Sequence, residues 1–302
     1  MTAAFFQVSA NLSNNPNSGE QSAVAFDFVR TLAAELSAGN LDLPSFPEIA
    51  ARVRRILSDP KSTLEQVVRV VGSEPALAAR LLRISNSASL NRSGRAVTDL
   101  RSAINRIGYN MVRSASISFS MAQVRNSNKL AGLERHLTEL WQRSAQVAAF
   151  AYILARDCTE VNPDEALLTG MMHAIGKLYV LTRVIDHPEL FASEVALNQI
   201  IEDWHASIGK AILENWNLSD NMAQAIGDQS DVSREDEGPA DLTDVIVVAI
   251  IMAAYAEDAP GLELALNEVA AAKRLGLDVS KTQSVMRDSA AEVTALSQAL
   301  GD

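Results

Sequence analysis

The stretch Asn162-Pro163-Asp164-Glu165-Ala166-Leu167-Leu168-Thr169-Gly170-Met171-Met172-His173-Ala174-Ile175-Gly176-Lys177-Leu178 decides the fold class. It opens as a helix start. Asn162 can cap, Pro163 stands where a missing N–H costs nothing, and Glu165 follows in the first turn. Apolar residues then continue without the alternation a strand would show. Ala166, Gly170, His173 and Lys177 recur at steps of three and four, which predicts one shared helix face, and the small residues among them allow another helix to approach closely.

The same reading extends outward. Ser9 to Ser22 is polar and turn-rich and predicts an arm ahead of a helix over Ala23–Leu36. Pro44-Ser45-Phe46-Pro47 is extended, since a residue before proline avoids the helical region. Helices are predicted over Glu48–Leu57, then behind a capping box of Ser62 and Glu65, and then from Ser73-Glu74-Pro75 through Leu77, Leu81, Leu82 and Ile84. Asn86 to Val97 reads as a loop. Thr98 is expected to cap a helix that Gly108 ends, with helix again over Met111–Val124. A long helix runs from about Leu133 to Asp157, and others over Glu189–Asn215, Asp220–Gln229, Leu242–Tyr255, Leu262–Lys273 and Lys281–Leu300, with an acidic linker over Ser230–Asp241. No strand pattern, Walker box, paired-Cys motif or internal repeat stands out. The predicted class is all-α.

Composition agrees. In 302 residues, 48% are hydrophobic but only 5% aromatic, a mix that favours helix over sheet. The single Cys158 excludes an internal disulfide framework and fits a reducing compartment. The longest apolar run, Val245 to Ala256, is too short to cross a bilayer, and no secretory signal is visible, so a cytoplasmic location with no membrane association is expected. The net charge of −11 hides an asymmetry: Leu43 to Leu130 holds 14 Lys+Arg against 5 Asp+Glu, a net of +9, which leaves 12 basic and 32 acidic residues, a net of −20, elsewhere. Solvated faces on lobes that attract each other account for this, and so does an anion-binding face; the excess of Arg keeps the second account open.

Several ordered fragments carry a resemblance: Leu43-Pro44-Ser45-Phe46-Pro47; Ser73 to Arg83 followed by Asn86-Ser87-Ala88; Val97 to Gly108; Leu140-Trp141 with Ser144; His173, Gly176 and Lys177; and His205-Ala206-Ser207-Ile208-Gly209 leading to Asn215-Trp216-Asn217-Leu218. Together they make the chain resemble the HDOD family of bacterial signalling proteins, relatives of the HD and HD-GYP phosphohydrolases, over roughly Leu43 to Gln229. The resemblance implies a two-lobed, all-helical HD-related fold and a regulatory role. It suggests an N-terminal arm and helix over 1–42, an HDOD domain over 43–236 with a basic lobe at 43–129 and an HD-like lobe at 130–236, and a C-terminal helical extension over 237–302 that packs on the HD-like lobe. In the catalytic relatives the His-Asp pair anchors a metal. Here it is His173-Ala174. The ligand position on the long helix is Arg143, His205 is retained, and the later His pair falls near Asp228-Gln229.

A methyl group cannot ligate a cation, and the chain has only four His, of which His173 and His205 are expected to face inward. A catalytic di-metal site needs several ligands converging from different helices, so no catalytic residue, metal or cofactor is assigned. Arg143, His173, Lys177 and His205 are candidates for an anion pocket where the metal stood; the plainer account makes each His a core residue with an ordinary partner and Lys177 a snorkelling one. Arg92, Arg95 and Arg101 around Ser93-Gly94 are candidates for an anion-binding loop, against a solvated basic loop. Asn86 is expected to cap backbone groups at a helix end. No aromatic interleaving accompanies the basic residues, so no specific nucleic-acid partner is expected. The expected function is a non-catalytic regulatory or scaffolding module that binds protein partners in a bacterial signalling pathway, a degenerate phosphohydrolase-like fold. The alternatives are a metal-dependent phosphohydrolase or cyclic-nucleotide phosphodiesterase with an altered site, and a sensor that holds a phosphorylated small ligand without cleaving it.

Overall fold

The computed structural model describes residues 18–38, 48–87, 95–125, 133–185, 187, 194–216, 218–234 and 238–301. Among these residues the protein is helical, with no strand. The helices are α1 (Ser18–Ala38), α2 (Glu48–Ser58), α3 (Leu64–Gly72), α4 (Pro75–Ser85), α5 (Leu100–Arg125), α6 (Glu134–Cys158), α7 (Pro163–Met172), α8 (Ile175–Val184), α9 (Glu194–Asn215), α10 (Asp220–Asp228), α11 (Leu242–Ala254), α12 (Ala259–Asn267), α13 (Ala270–Arg274) and α14 (Val279–Gly301). The chain forms two compact units, Met1–Pro44 with His173–Ser230, and Ser45–Met172 with Asp231–Asp302. The lobes expected at 43–129 and 130–236 divide the chain differently, because α6 and α7 fold with the helices before them and α8 to α10 fold with α1.

Several helix boundaries differ from expectation for local reasons. The capping box before α3 is Thr63 with Gln66, one residue later than the Ser62/Glu65 pair, and both of its hydrogen bonds are made, at 3.3 and 2.8 Å. Asp99 rather than Thr98 caps α5, accepting from the Ser102 amide at 2.8 Å. Gly108 does interrupt that helix, at φ 75°, where a residue with a Cβ would be strained. The polar arm is shorter than predicted, since α1 starts at Ser18. The predicted helix Leu262–Lys273 is two, α12 and α13, parted at Glu268-Val269. The opening stretch of the sequence analysis is also two helices. His173 and Ala174 form a turn between α7 and α8, so His173 and Lys177 do not share one continuous helix face with Ala166 and Gly170.

In the larger unit, α7 lies along α6, and α11 and α14 flank α6 as well. The close approach of α7 depends on Gly170, where an added Cβ would lie 2.7 Å from the Ala148 Cα. The Arg80 guanidinium, almost wholly buried, sits 5.9 Å from the Trp141 ring centroid, which ties α4 to α6. Arg156 joins α6 to α14 through Glu292 at 2.7 Å. Asp244, buried in α11, is held by both Arg274 and Arg234, and Arg234 also forks onto Asp241 at 2.9 and 2.6 Å. A carboxylate this buried needs such partners.

In the smaller unit, α9 packs against α8, α10 and α1. The α1 contact has a polar clasp: the Tyr179 hydroxyl donates to Glu35 at 2.5 Å, and Arg183 pairs with Glu35 at 3.2 Å. Burial, then the hydrogen bond to Glu35, push the Tyr179 hydroxyl up to about 12. The α8–α9 crossing is tighter than any side chain permits. A Cβ on Gly176 would stand 1.9 Å from the carbonyl oxygen of His205 and 2.9 Å from the Gly209 nitrogen, while one on Gly209 would meet the Ile226 side chain of α10 at 2.7 Å. Gly176→Ala is therefore expected to cost about 3 kcal/mol or more, at the upper end of overpacking effects. Gly72→Ala, whose Cβ would meet nothing closer than 3.7 Å, should be neutral or stabilise by up to about 1 kcal/mol. Urea unfolding of both variants checks the pair, and equal stabilities would refute the backbone contact at Gly176.

Candidate functional site

Of the residues that the resemblance singles out, His173, Ala174, Lys177, His205 and Gln229 belong to the smaller unit, and Arg143 belongs to the larger. Ala174 is the N-cap of α8, only 3% exposed, with φ −100° and ψ 14° and no side-chain cap hydrogen bond. His173 beside it is buried, and its carbonyl accepts a 2.9 Å hydrogen bond from Gln229 Nε2, which also donates to the Ile226 carbonyl at 3.0 Å. Gln229 thus ties the end of α10 to the turn. It stands where the resemblance puts a later His pair, yet its role here is to hold backbone, and its Oε1 is buried without a partner. Only the tertiary contact reveals that role.

His205 is buried in α9 beside Ile208 and Ile212, as the apolar spacing predicted. It is less well satisfied than an ordinary core histidine. Its Nδ1 is buried with no hydrogen-bond partner, and its Nε2 lies 3.9 Å from the Glu202 carboxylate. Burial, then the nearby Lys177 charge, depress the imidazole to about 4, against a smaller opposite pull from Glu202. Lys177 itself is turned to Glu202, with Nζ 2.9 Å from Oε1. On Glu202, burial raises the carboxyl, but the Lys177 hydrogen bond and charge outweigh it and leave the group below its usual range. Glu202 was not singled out from sequence. Its place three residues before His205 on one helix was the available signal.

The proposed anion pocket is therefore not a cluster of free cations. Lys177 is engaged by a carboxylate, burial holds the His205 imidazole well below its ordinary value, and Arg143, a ligand position by the resemblance, is exposed to solvent on α6. The second candidate, the basic loop, fares similarly. Arg92 lies outside the described residues. Arg95 is exposed, its carbonyl accepting from Arg106 at 3.1 Å, and Arg101 is paired with Glu65 at 2.6 Å. Asn86 does act on backbone. Its Nδ2 donates to the Leu82 carbonyl at 3.0 Å and the Val97 carbonyl at 2.8 Å, while its Oδ1 accepts from the Val97 amide at 2.7 Å, which ties the end of α4 to Val97.

A metal centre does not fit the donor set. No group of three or more His, Cys, Asp or Glu side chains among the described residues could surround an ion. The position of the metal-anchoring Asp carries a buried methyl. No helix among the described residues is long and apolar enough to cross a membrane.

The HDOD domain model matches residues 43–232. The chain is 26% identical to a Shewanella amazonensis SB2B protein whose name assigns it provisionally to the metal-dependent phosphohydrolases; the two structures superpose with a TM-score of 0.70 over 92% of this chain and 99% of that one. An HDOD domain protein of unknown function from Geobacter sulfurreducens superposes with a TM-score of 0.64, at 20% identity, over 89% of this chain and 96% of that one, which supports the fold. An uncharacterized protein of Treponema pallidum (strain Nichols) is 25% identical over 210 residues, 65% of this chain. The match spans only 39% of that relative's length.

The depressed His205 has a measurable consequence. A histidine that the fold keeps neutral contributes stability that is complete above its ordinary value of 6.5, declines as pH falls below it, and is lost by about 4. Between about pH 7 and pH 4 the wild-type protein should lose of order 3 kcal/mol more stability than His205→Gln, which has no proton to take up. Urea unfolding across that range makes the comparison, and parallel curves would refute a buried neutral imidazole.

Proposed function

Because the chain belongs to the HDOD family, matched over 43–232, we propose that it is a non-catalytic regulatory or scaffolding module of bacterial signal transduction that acts by binding protein partners. The observation that carries this reading is the donor set at the turn before α8. Hydrolysis of a phosphoester on an HD-type scaffold requires a metal to polarise the phosphoryl group and lower the pKa of a water. Ala174 offers a buried methyl at the anchoring position, and no group of three or more His, Cys, Asp or Glu side chains that could hold a metal occurs among the described residues. Two of the polar groups there are engaged in structure, with Gln229 on the His173 carbonyl and Lys177 on Glu202.

The metal-dependent phosphohydrolase reading keeps one observation in its favour, the name given to the Shewanella relative at 26% identity. The two readings separate in one experiment. Protein purified without chelator or added metal should contain no stoichiometric transition metal and should not hydrolyse bis-p-nitrophenyl phosphate with manganese present. Near-equimolar iron or manganese, with turnover lost in His173→Ala, would establish the enzyme instead.

Restoring the carboxylate should not restore chemistry. Asp is a good N-cap in extended geometry, but position 174 has φ −100° and ψ 14° and is 3% exposed. Ala174→Asp is expected to lower stability by about 1–3 kcal/mol through burial of a polar group and to show no manganese-dependent hydrolysis. Turnover by that single variant would mean that other ligands are already in place.

The basic segment is read as a face for internal or protein contacts. Its net of +9 over Leu43 to Leu130 is opposed by −20 on the rest of the chain, and Arg101 is already ion-paired. Double-stranded DNA should bind weakly, without sequence preference, and the binding should fade steeply with salt. A sub-micromolar, sequence-selective complex at physiological salt would move the protein to the nucleic-acid-binding class.

A further inference from the structure

The C-terminal helices, which lie beyond the matched family segment, enclose a concave cavity of about 380 Å³ between residues of α12 and α14. That volume falls within the range of small-molecule sites, about 300–1,000 Å³. Its floor is apolar. Leu262 and Leu266 from α12 are buried there, and Leu277 and Met286 line the sides, each half-buried. An ordinary packing defect closed by apolar residues would need nothing more. This one has a polar group in its wall. Thr282 is 7% exposed, lines the cavity, and its hydroxyl has no hydrogen-bond partner among the described residues, although its amide donates to the Asp278 carbonyl at 2.8 Å. The Thr282 hydroxyl oxygen keeps contact with the solvent-accessible space of the cavity, where a bound group can take the place of water.

Charge narrows what that partner is. The cavity is lined by two carboxylates, Glu263 and Asp278, and one guanidinium, Arg287. Asp278 is tied to its own helix start, accepting from the Lys281 amide at 2.7 Å. The balance is net negative, so an anionic group would enter against repulsion. We propose that this cavity binds a small uncharged molecule with an apolar body and one hydroxyl or carbonyl group, and that Thr282 hydrogen-bonds to that group. The site lies in the extension rather than at the turn before α8, so it stands independently of the regulatory reading.

The probe is 1-octanol, titrated into full-length protein carrying 13C-methyl methionine, with the Met286 signal assigned through Met286→Leu. The Met286 methyl resonance should shift saturably. Octanoate, the anionic counterpart, should bind at least ten-fold more weakly. Thr282→Val should weaken octanol about five-fold while leaving the melting temperature of the ligand-free protein unchanged or raised, a combination that a merely structural threonine would not give. Ala290→Trp, at the exposed edge of the cavity, should abolish the shift with the circular dichroism spectrum intact. An unsaturable shift in the wild type, or equal binding by both variants, overturns the site; octanoate binding as tightly as octanol overturns the uncharged ligand class.

Discussion

In the smaller unit, the backbone contact between α8 and α9 at Gly176 constrains everything around it. With the Cβ position 1.9 Å from the His205 carbonyl oxygen, only hydrogen fits, so two helices meet main chain to main chain. The consequence reaches the side chains on either side. His205 is carried into the buried face of the crossing, Lys177 lies one residue past the contact and reaches Glu202, and the turn at His173-Ala174 sits at the head of α8. Glycine at this point is thus explained by packing before any chemistry is invoked. Gly209 on the facing helix serves the same crossing from the other side.

The polar residues of the site follow from that constraint. A turn buried between two helices exposes carbonyls to an apolar interior, and each must be paired. Gln229 supplies a donor to the His173 carbonyl. The imidazole of His205, enclosed by Ile208 and Ile212, cannot keep a proton near neutral pH because burial removes the solvent that would stabilise the charge, and Lys177 adds repulsion. Gln229 engages the His173 carbonyl and Glu202 engages Lys177, while the His205 Nδ1 is buried with no hydrogen-bond partner among the described residues.

The larger unit depends on the same economy of small residues, with Gly170 against Ala148, and on a buried carboxylate, Asp244, held by two guanidiniums. The Asp244, Arg274 and Arg234 network anchors the segment after the family-matched region to α11 and α13.

Much of this was legible in the sequence. Helix starts at Pro75, Pro163 and Asp220, the break at Gly108, the apolar face around His205 and the Asn86 bond to the Leu82 carbonyl all follow from local chemistry: caps, proline geometry and spacing act over four residues or fewer, so a linear reading sees them, whereas the Asn86 bonds to Val97 span eleven residues. That Ala174 stands where the resemblance implies a metal-anchoring Asp was also visible in the sequence. The interruption at His173-Ala174 was not legible, because nothing in the residue types there forbids a continuous helix; packing of α8 onto α9 turns the chain. Nor were the pairing of Lys177 with Glu202, the contact of Gln229 with the His173 carbonyl, and the exposure of Arg143. Each depends on residues that sequence places far apart, or on which way a helix faces once its neighbours are in position. Sequence determined which side chains could ligate, cap or pack; only the tertiary structure decided which of them were already taken.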